Sequence, residues 1–346
     1  MAGNFKAWDL KLSQFNRLKS EEEKLKFIIS FAVLAPSSHN SQPWKFKVRK
    51  MTIEVYFEQE RSLPVGDPED RLSFISIGCA LKNLITAADY YGYKTQLKIT
   101  TAGKSTFKPV AVLKLFSKSQ KFSKKRKDNH LANFIIKRVT SRCKYGNDLP
   151  PKFLINKFKK VTGSGLNIYF ITEKEKRERA IDIAIAAGIE AMGDKNFRDE
   201  LSHHVKPNIT MSKIGMPAYG MEIPTPVSFL APLLIRMFNM NKVQSAKDKK
   251  TFVETPLLLL IASMKNEPND WVKVGLTYQE IALLLTANRF SSHPMAGPIQ
   301  ISRYRGEIKE LFGAKDFPQF FFRVGKPLRD VKHSPRLPAE EVMISE

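Results

Sequence analysis

Apolar residues recur at helical spacing in several long stretches of this chain and alternate with polar ones in short runs between them. Ser20 followed by Glu23 makes a capping box, and Leu25, Ile28, Ile29, Ala32 and Val33 then fall on one face, which predicts a helix over about 21–35, stopped by Pro36. Trp44, Phe46 and Val48 alternate with Lys45, Lys47 and Arg49, and Ile53 and Val55 with Glu54 and Tyr56, the pattern of a two-stranded hairpin. A second helix is expected over 74–91, with Ile77, Leu81, Leu84, Ile85 and Ala88 on one face, and a strand over 110–116. After a basic run the order repeats: a helix end at 132–136 leads to a turn at 138–145, a strand over 166–171, a helix over 173–192, a buried strand over 256–263, a long helix over 272–290 and a last strand over 320–325.

The helices ending near Tyr91 and Phe290 resemble one another, each rich in Ala and Leu and closed by an aromatic and a small-residue turn. We therefore expect two related halves, residues 1–117 and 131–346, joined by a linker over 118–130. The second half would carry an inserted segment over about 206–241. Its stretch VSFLAPLLIRMF, with Gly215, Gly220 and several prolines before it, reads equally as a hinged lid over a site or as a bent core helix.

The chain has 346 residues, enough for two packed units, and its 42% hydrophobic content supports a large core. Two distant cysteines, Cys79 and Cys143, give no disulfide framework and no zinc spacing, so a reducing cytosol fits best. No His/Asp/Glu set has metal-site spacing, and no stretch is both long and apolar enough for a signal peptide or a membrane span. The net charge of +23 raises the question of nucleic acid. Its densest run, KSQKFSKKRK at 118–127, holds a single aromatic and reads as a solvated linker, because single-strand platforms interleave several aromatics with the cations.

Four segments carry candidate chemistry. LAPSSHNSQPW at 34–44 presents Ser37, Ser38, His39, Asn40, Ser41 and Gln42 in one turn between helix and strand, a set of donors and acceptors suited to a planar heteroaromatic edge and equally to turn formation. KRVTSRCKY at 137–145 sets Arg138, Thr140 and Arg142 together, a possible phosphate cradle, since guanidinium groups bond phosphate in pairs. KHSPR at 332–336 adds Lys332 and Arg336, and SSHPMAGP at 291–298 ends in Ala296 and Gly297, where glycine permits close backbone approach.

The first of these segments resembles the nitroreductase family, whose helix-to-strand turn reads Pro-Ser-x-x-Asn-x-Gln-Pro-Trp; Pro36, Ser37, Asn40, Gln42, Pro43 and Trp44 match. That family binds FMN between two subunits. The resemblance implies an α+β fold with antiparallel sheets flanked by helices, and it makes Ser37, Ser38, Asn40 and Gln42 flavin-ring contacts. It likewise makes Arg138, Thr140, Arg142 and Arg336 phosphate ligands, and Ala296 and Gly297 the backbone turn beside flavin N5. His39 and Val139 depart from the usual pattern, and Tyr145 falls one residue late. With the ring-edge turn in the first half and the phosphate motif, N5 turn and basic tail in the second, the chain is similar to the tandem, Acg-like branch, in which one polypeptide mimics the dimer and keeps one FMN site. The implied activity is hydride transfer from NAD(P)H through FMN to a nitro, quinone or similar acceptor, with no side chain as acid or base. The alternative is a flavin-binding or storage protein whose lid covers the ring. A monomer acting as a pseudo-dimer is expected, with no metal, no membrane span and no nucleic acid partner.

Overall fold

A computed structural model describes residues 3–100, 108–117 and 130–344. The predicted basic run and most of the linker lie outside the described residues. The capping box forms: Ser20 Oγ accepts from the Glu23 amide at 3.1 Å and Glu23 Oε2 from the Ser20 amide at 3.0 Å, starting α1 (Glu21–Ala32). A polar turn leads to β1 (Trp44–Arg49) and β2 (Thr52–Phe57), then to α2 (Arg71–Tyr90), β3 (Tyr93–Ile99) and β4 (Ala111–Ser117). Asp67 rather than the residue preceding α2 caps that helix, accepting from the amides of Leu72 and Ser73 at 3.0 and 2.9 Å. The second part of the chain runs α3 (Ala132–Ile135), α4 (Lys152–Lys160), β5 (Leu166–Ile171), α5 (Lys174–Gly193) and α6 (Lys195–His204). The two-residue strands β6 (Val205–Lys206) and β7 (Met216–Pro217) follow, then α7 (Thr225–Ser228), α8 (Ala231–Met237) and α9 (Asn241–Phe252). β8 (Leu257–Ser263), α10 (Pro268–Ala287), β9 (Ser291–Pro294), α11 (Gly297–Gln300), α12 (Ser302–Leu311) and β10 (Phe317–Gly325) complete it.

The fold is α+β, with two antiparallel four-stranded sheets flanked by helices, ordered β1-β2-β4-β3 and β5-β8-β10-β9. Both orders are the same pattern: the first and second strands pair, a 20-residue helix follows, and the fourth strand inserts beside the second with the third at the edge. In the first sheet buried and part-exposed residues alternate along β2, so one face is covered. In the second, all seven residues of β8 are buried, because Leu257, Leu259 and Ile261 pack into the main core while Leu258 and Leu260 pack beneath α5 and α12.

α2 and α10 cross at the centre. Gly78 and Gly275 make the crossing possible: a Cβ added at Gly275 would lie 2.0 Å from the Ile75 carbonyl oxygen, and one at Gly78 2.1 Å from that of Val272. Farther along the same helices Gln279 Nε2 donates to Asn83 Oδ1 at 2.7 Å, both buried, and Lys82 pairs with Glu280. The tail after β10 then returns to the first sheet, where the Ile344 amide donates to the Phe46 carbonyl at 2.8 Å and Trp8 stacks on His333. One contiguous core runs from Trp8 to Val342 through both sheets.

Two expectations are corrected. The stretch 291–298, read as a turn, is an edge strand, β9, followed by α11, because Ser292 and His293 pair with Val324 and Arg323 of β10. The apolar row of the 206–241 segment does not bury itself over a site. Phe229, Leu230, Leu233 and Phe238 are exposed, and α8 is held to α6 by its opposite face, through Ala231 and Ile235 against Leu201 and Val205.

Candidate functional site

The helix-to-strand turn is strained in a small space. His39, Asn40 and Gln42 all take positive φ, 48°, 54° and 55°, a conformation that non-glycine residues adopt rarely and at a cost of about 1 kcal/mol or more each. Side-chain bonds hold it. Ser37 Oγ accepts from the Gln42 amide at 3.0 Å. Asn40 Nδ2 donates to the carbonyls of Gly215 and Pro335 at 2.8 and 2.9 Å, and its Oδ1 accepts from Arg336 Nη1 at 2.6 Å. Gln42 Nε2 donates to the Lys213 carbonyl at 2.7 Å while its Oε1 accepts from the Leu337 amide at 2.9 Å. These two amides therefore tie the turn to the β7 approach and to the C-terminal tail. Gly215 sits at φ +91°, where a Cβ would meet the His204 carbonyl oxygen at 2.6 Å.

The turn lines a cavity of about 230 Å³. Ser37, Ser38, His39 and Asn40 form one wall, and Ile75, Ser76 and Cys79 of α2 and Tyr278 of α10 the floor. Thr140, Arg142, Met216, His293, Ala296 and Arg336 close it. A second cavity of about 230 Å³ adjoins it across His39, Arg142, Met216 and His293, and is lined beyond them by Gln244, Lys247, Asp248 and Thr251 of α9. Of the residues singled out in the sequence, Ser37, Ser38, Asn40, Thr140, Arg142, Ala296 and Arg336 thus meet around one space. Gln42 is fully buried behind the turn, Arg138 is buried against the Leu34 carbonyl, and Gly297 packs on Ala187 of α5.

The electrostatics of this space are predominantly positive, with Asp248 and Glu222 of the adjoining cavity the carboxylates nearest to it. Arg138, Arg142, Arg323 and Arg336 have lowered pKa values, each chiefly because burial disfavours the charged form. Arg336 is brought down to about 9, with Arg138 adding to the effect. Among the described residues none of the four is in an ion pair; their hydrogen-bond partners are carbonyls, the Asn40 amide, the Thr140 hydroxyl, the His293 ring and a thioether. The thioether is Met216 Sδ, 3.4 Å from Arg142 Nη2, a weak acceptor for a guanidinium. Buried cations held by neutral partners make a ready receptor for an anion.

The sequence reading missed Arg323 and His293. Arg323 is fully buried between the rings of Tyr145 and Phe252, 4.1 and 4.5 Å from their centroids, and donates from Nη2 to the carbonyls of Arg142 and Cys143 at 2.9 and 2.8 Å. It positions the loop that presents Arg142. The signal was a lone charge inside an apolar strand, FFFRVG. Its Nε donates to His293 Nδ1 at 3.1 Å, which fixes that ring as neutral with the proton on Nε2.

Burial, with Arg323 and Arg142 nearby, holds His293 well below the usual imidazole range; burial, with His204 and Arg142, brings His39 down to about 3. Both rings stay neutral in the fold and protonate in the unfolded chain from about pH 6.5 downward, so the unfolded state binds more protons in that window and stability is lost as pH falls. Acidification from pH 7 to 4.5 should remove about 2.5 kcal/mol through His39, with His293 acting in the same direction, read as a falling denaturation midpoint, and His39→Gln should make that fall shallower.

No family model matches the chain. It is similar to the Mycobacterium tuberculosis protein named "Putative NAD(P)H nitroreductase Rv3131", with 22% identity over 307 residues, covering 88% of this chain and 86% of the relative. It is also similar to "Uncharacterized protein Rv3127" of the same organism, with 21% identity over 331 residues, 92% of each. A solved FMN-dependent nitroreductase NfnB from Mycobacterium smegmatis, in complex with NADPH, aligns with 62% of this chain and 98% of its own at 15% identity and a TM-score of 0.41.

Proposed function

From a chain that is nitroreductase-like over nearly its whole length, we propose an FMN-dependent NAD(P)H oxidoreductase holding one flavin where its two sheets meet. The observation that carries this reading is the set of buried guanidinium groups without a carboxylate partner around a cavity lined by the Pro36–Asn40 turn. The residues present fit the group. Arg142 and Thr140, with Arg336 opposite, would hold the phosphate; Ser37, Ser38 and the Ala296 backbone would face the ring; Asn40 and Gln42 would fix the turn that presents them. Neither cavity alone reaches the roughly 300 Å³ at which ligand clefts begin. The two meet along Met216, an adaptable side chain whose contact with Arg142 a phosphate would replace.

Bound FMN would accept a hydride at N5 and pass electrons to a nitro, quinone or similar acceptor. The chain would orient the ring and screen it from water with Ile75, Phe320 and Met216. No side chain has to move a proton. A lid-covered storage protein fits less well, since the apolar row such a cover would bury is exposed. Mixing the flavin-loaded protein with NADPH under anaerobic conditions should bleach the flavin absorbance within seconds. Bleaching by dithionite alone would favour storage over turnover.

A further inference from the structure

The 225–238 segment has two apolar faces, and the fold uses one. Ala231 and Ile235 are buried against α6. On the other side Val227, Phe229, Leu230, Leu233, Met237 and Phe238 are 46–63% exposed, and Leu230, Leu233 and Met237 stand at i, i+3 and i+7, a continuous outer stripe on α8. Scattered exposed apolar residues are ordinary; six within twelve positions form a patch that marks a contact surface.

The charge around the stripe selects its partner. From Ile223 to Lys247 the sequence holds no Asp or Glu, while Arg236, Lys242 and Lys247 lie within that stretch and Lys249 and Lys250, both exposed, follow on α9. Arg236 and Lys247 are paired with Asp199 and Glu222, whereas Lys249 and Lys250 are exposed and, among the described residues, in no ion pair. The whole chain carries +23. An apolar helical stripe bearing Phe, Leu and Met, in a stretch free of acidic residues on a chain with this excess of positive charge, is complementary to one surface in particular, the headgroup and acyl boundary of an anionic bilayer.

We propose that α7 and α8 form a peripheral docking surface for anionic membranes, with the outer stripe of α8 inserted into the interface. No membrane span is involved: among the described residues the one helix long and apolar enough is α2, and 83% of its apolar window is buried in the fold. The proposal does not depend on what fills the cavity. The same segment nonetheless reaches the cavity wall, because Met216, Ala218 and Ile235 belong to one cluster, so docking would set the orientation of the site toward the bilayer.

The test is flotation of the purified full-length protein with vesicles of phosphatidylcholine alone or mixed with phosphatidylglycerol. Binding is expected to phosphatidylglycerol vesicles only, weakening with added salt. Leu230→Gln, Leu233→Gln and Met237→Gln combined should reduce the bound fraction at least tenfold while leaving the melting temperature and flavin content unchanged. As a measurement independent of that triple variant, Phe238→Trp should shift its emission to the blue when phosphatidylglycerol vesicles are added, against the buried native Trp8, Trp44 and Trp271. Absence of flotation, equal flotation of the triple variant, or an unshifted Phe238→Trp emission would overturn the proposal. So would a wild-type dimer that the triple variant turns into a monomer, which would give this face to a second copy of the chain.

Discussion

Gly275→Ala should lower stability by at least about 3 kcal/mol, the largest loss expected from any single methyl group in this protein. The added Cβ would stand 2.0 Å from the Ile75 carbonyl oxygen and 2.8 Å from the Gly78 Cα, which are backbone atoms of another helix and cannot rotate away. Relief requires α2 and α10 to separate, and that separation strips contacts from the core on both sides of the crossing and stretches the buried Gln279–Asn83 hydrogen bond. The matching control is Gly188→Ala, inside α5 with open space around the new Cβ, where better helix propensity should stabilise by about 0.5–1 kcal/mol. Urea denaturation of both variants measures the difference. Equal midpoints would mean that the two helices do not meet as closely as the fold requires.

Arg142→Ala should raise the dissociation constant for FMN about 10- to 150-fold, because it removes a charge-assisted hydrogen bond of about 1.5–3 kcal/mol to the phosphate. Its effect on stability should be small or favourable, since the guanidinium is buried with a thioether for a partner and losing it relieves a desolvation cost. Arg336→Ala should behave differently. That side chain also donates to the Ala35 and Pro335 carbonyls and to Asn40 Oδ1, so its loss should weaken flavin binding and unfasten the tail from the turn. Flavin titration and thermal melting, run on both variants, separate a ligand-holding arginine from one that also holds the fold.

The chain wrote its architecture openly where burial was one-sided or complete. The alternation of β1 and β2 follows from a sheet with one covered face, and the unbroken run PLLLLIAS from a strand with two. The likeness of the helices ending near Tyr91 and Phe290 corresponds to two helices in equivalent places of two sheets with the same strand order. Two strands were passed over for different reasons: β3 alternates along YKTQLKI as regularly as β2 and was readable by the same rule, whereas β9, four residues long, has no period to read and exists through its pairing with β10.

The candidate site was legible as residue types but not as roles. Asn40 and Gln42 belong to the recognisable turn, yet their partners lie at Lys213, Gly215, Pro335 and Leu337, at least 171 residues away, and no local pattern announces bonds of that range. Arg323 reaches the loop behind the site through the register that sets it opposite His293. For the 225–238 segment, periodicity revealed apolar character on the helix but not that only one of its two faces would be covered.

The central claim is that the guanidinium groups around this cavity receive the phosphate of one flavin. Equilibrium titration of flavin-free protein with FMN and with riboflavin, which has the same ring and no phosphate, tests it most directly. The account predicts one FMN per chain and riboflavin at least tenfold weaker, with that preference abolished in Arg142→Ala. Equal affinity for the two flavins, two sites per chain, or no flavin binding would contradict it.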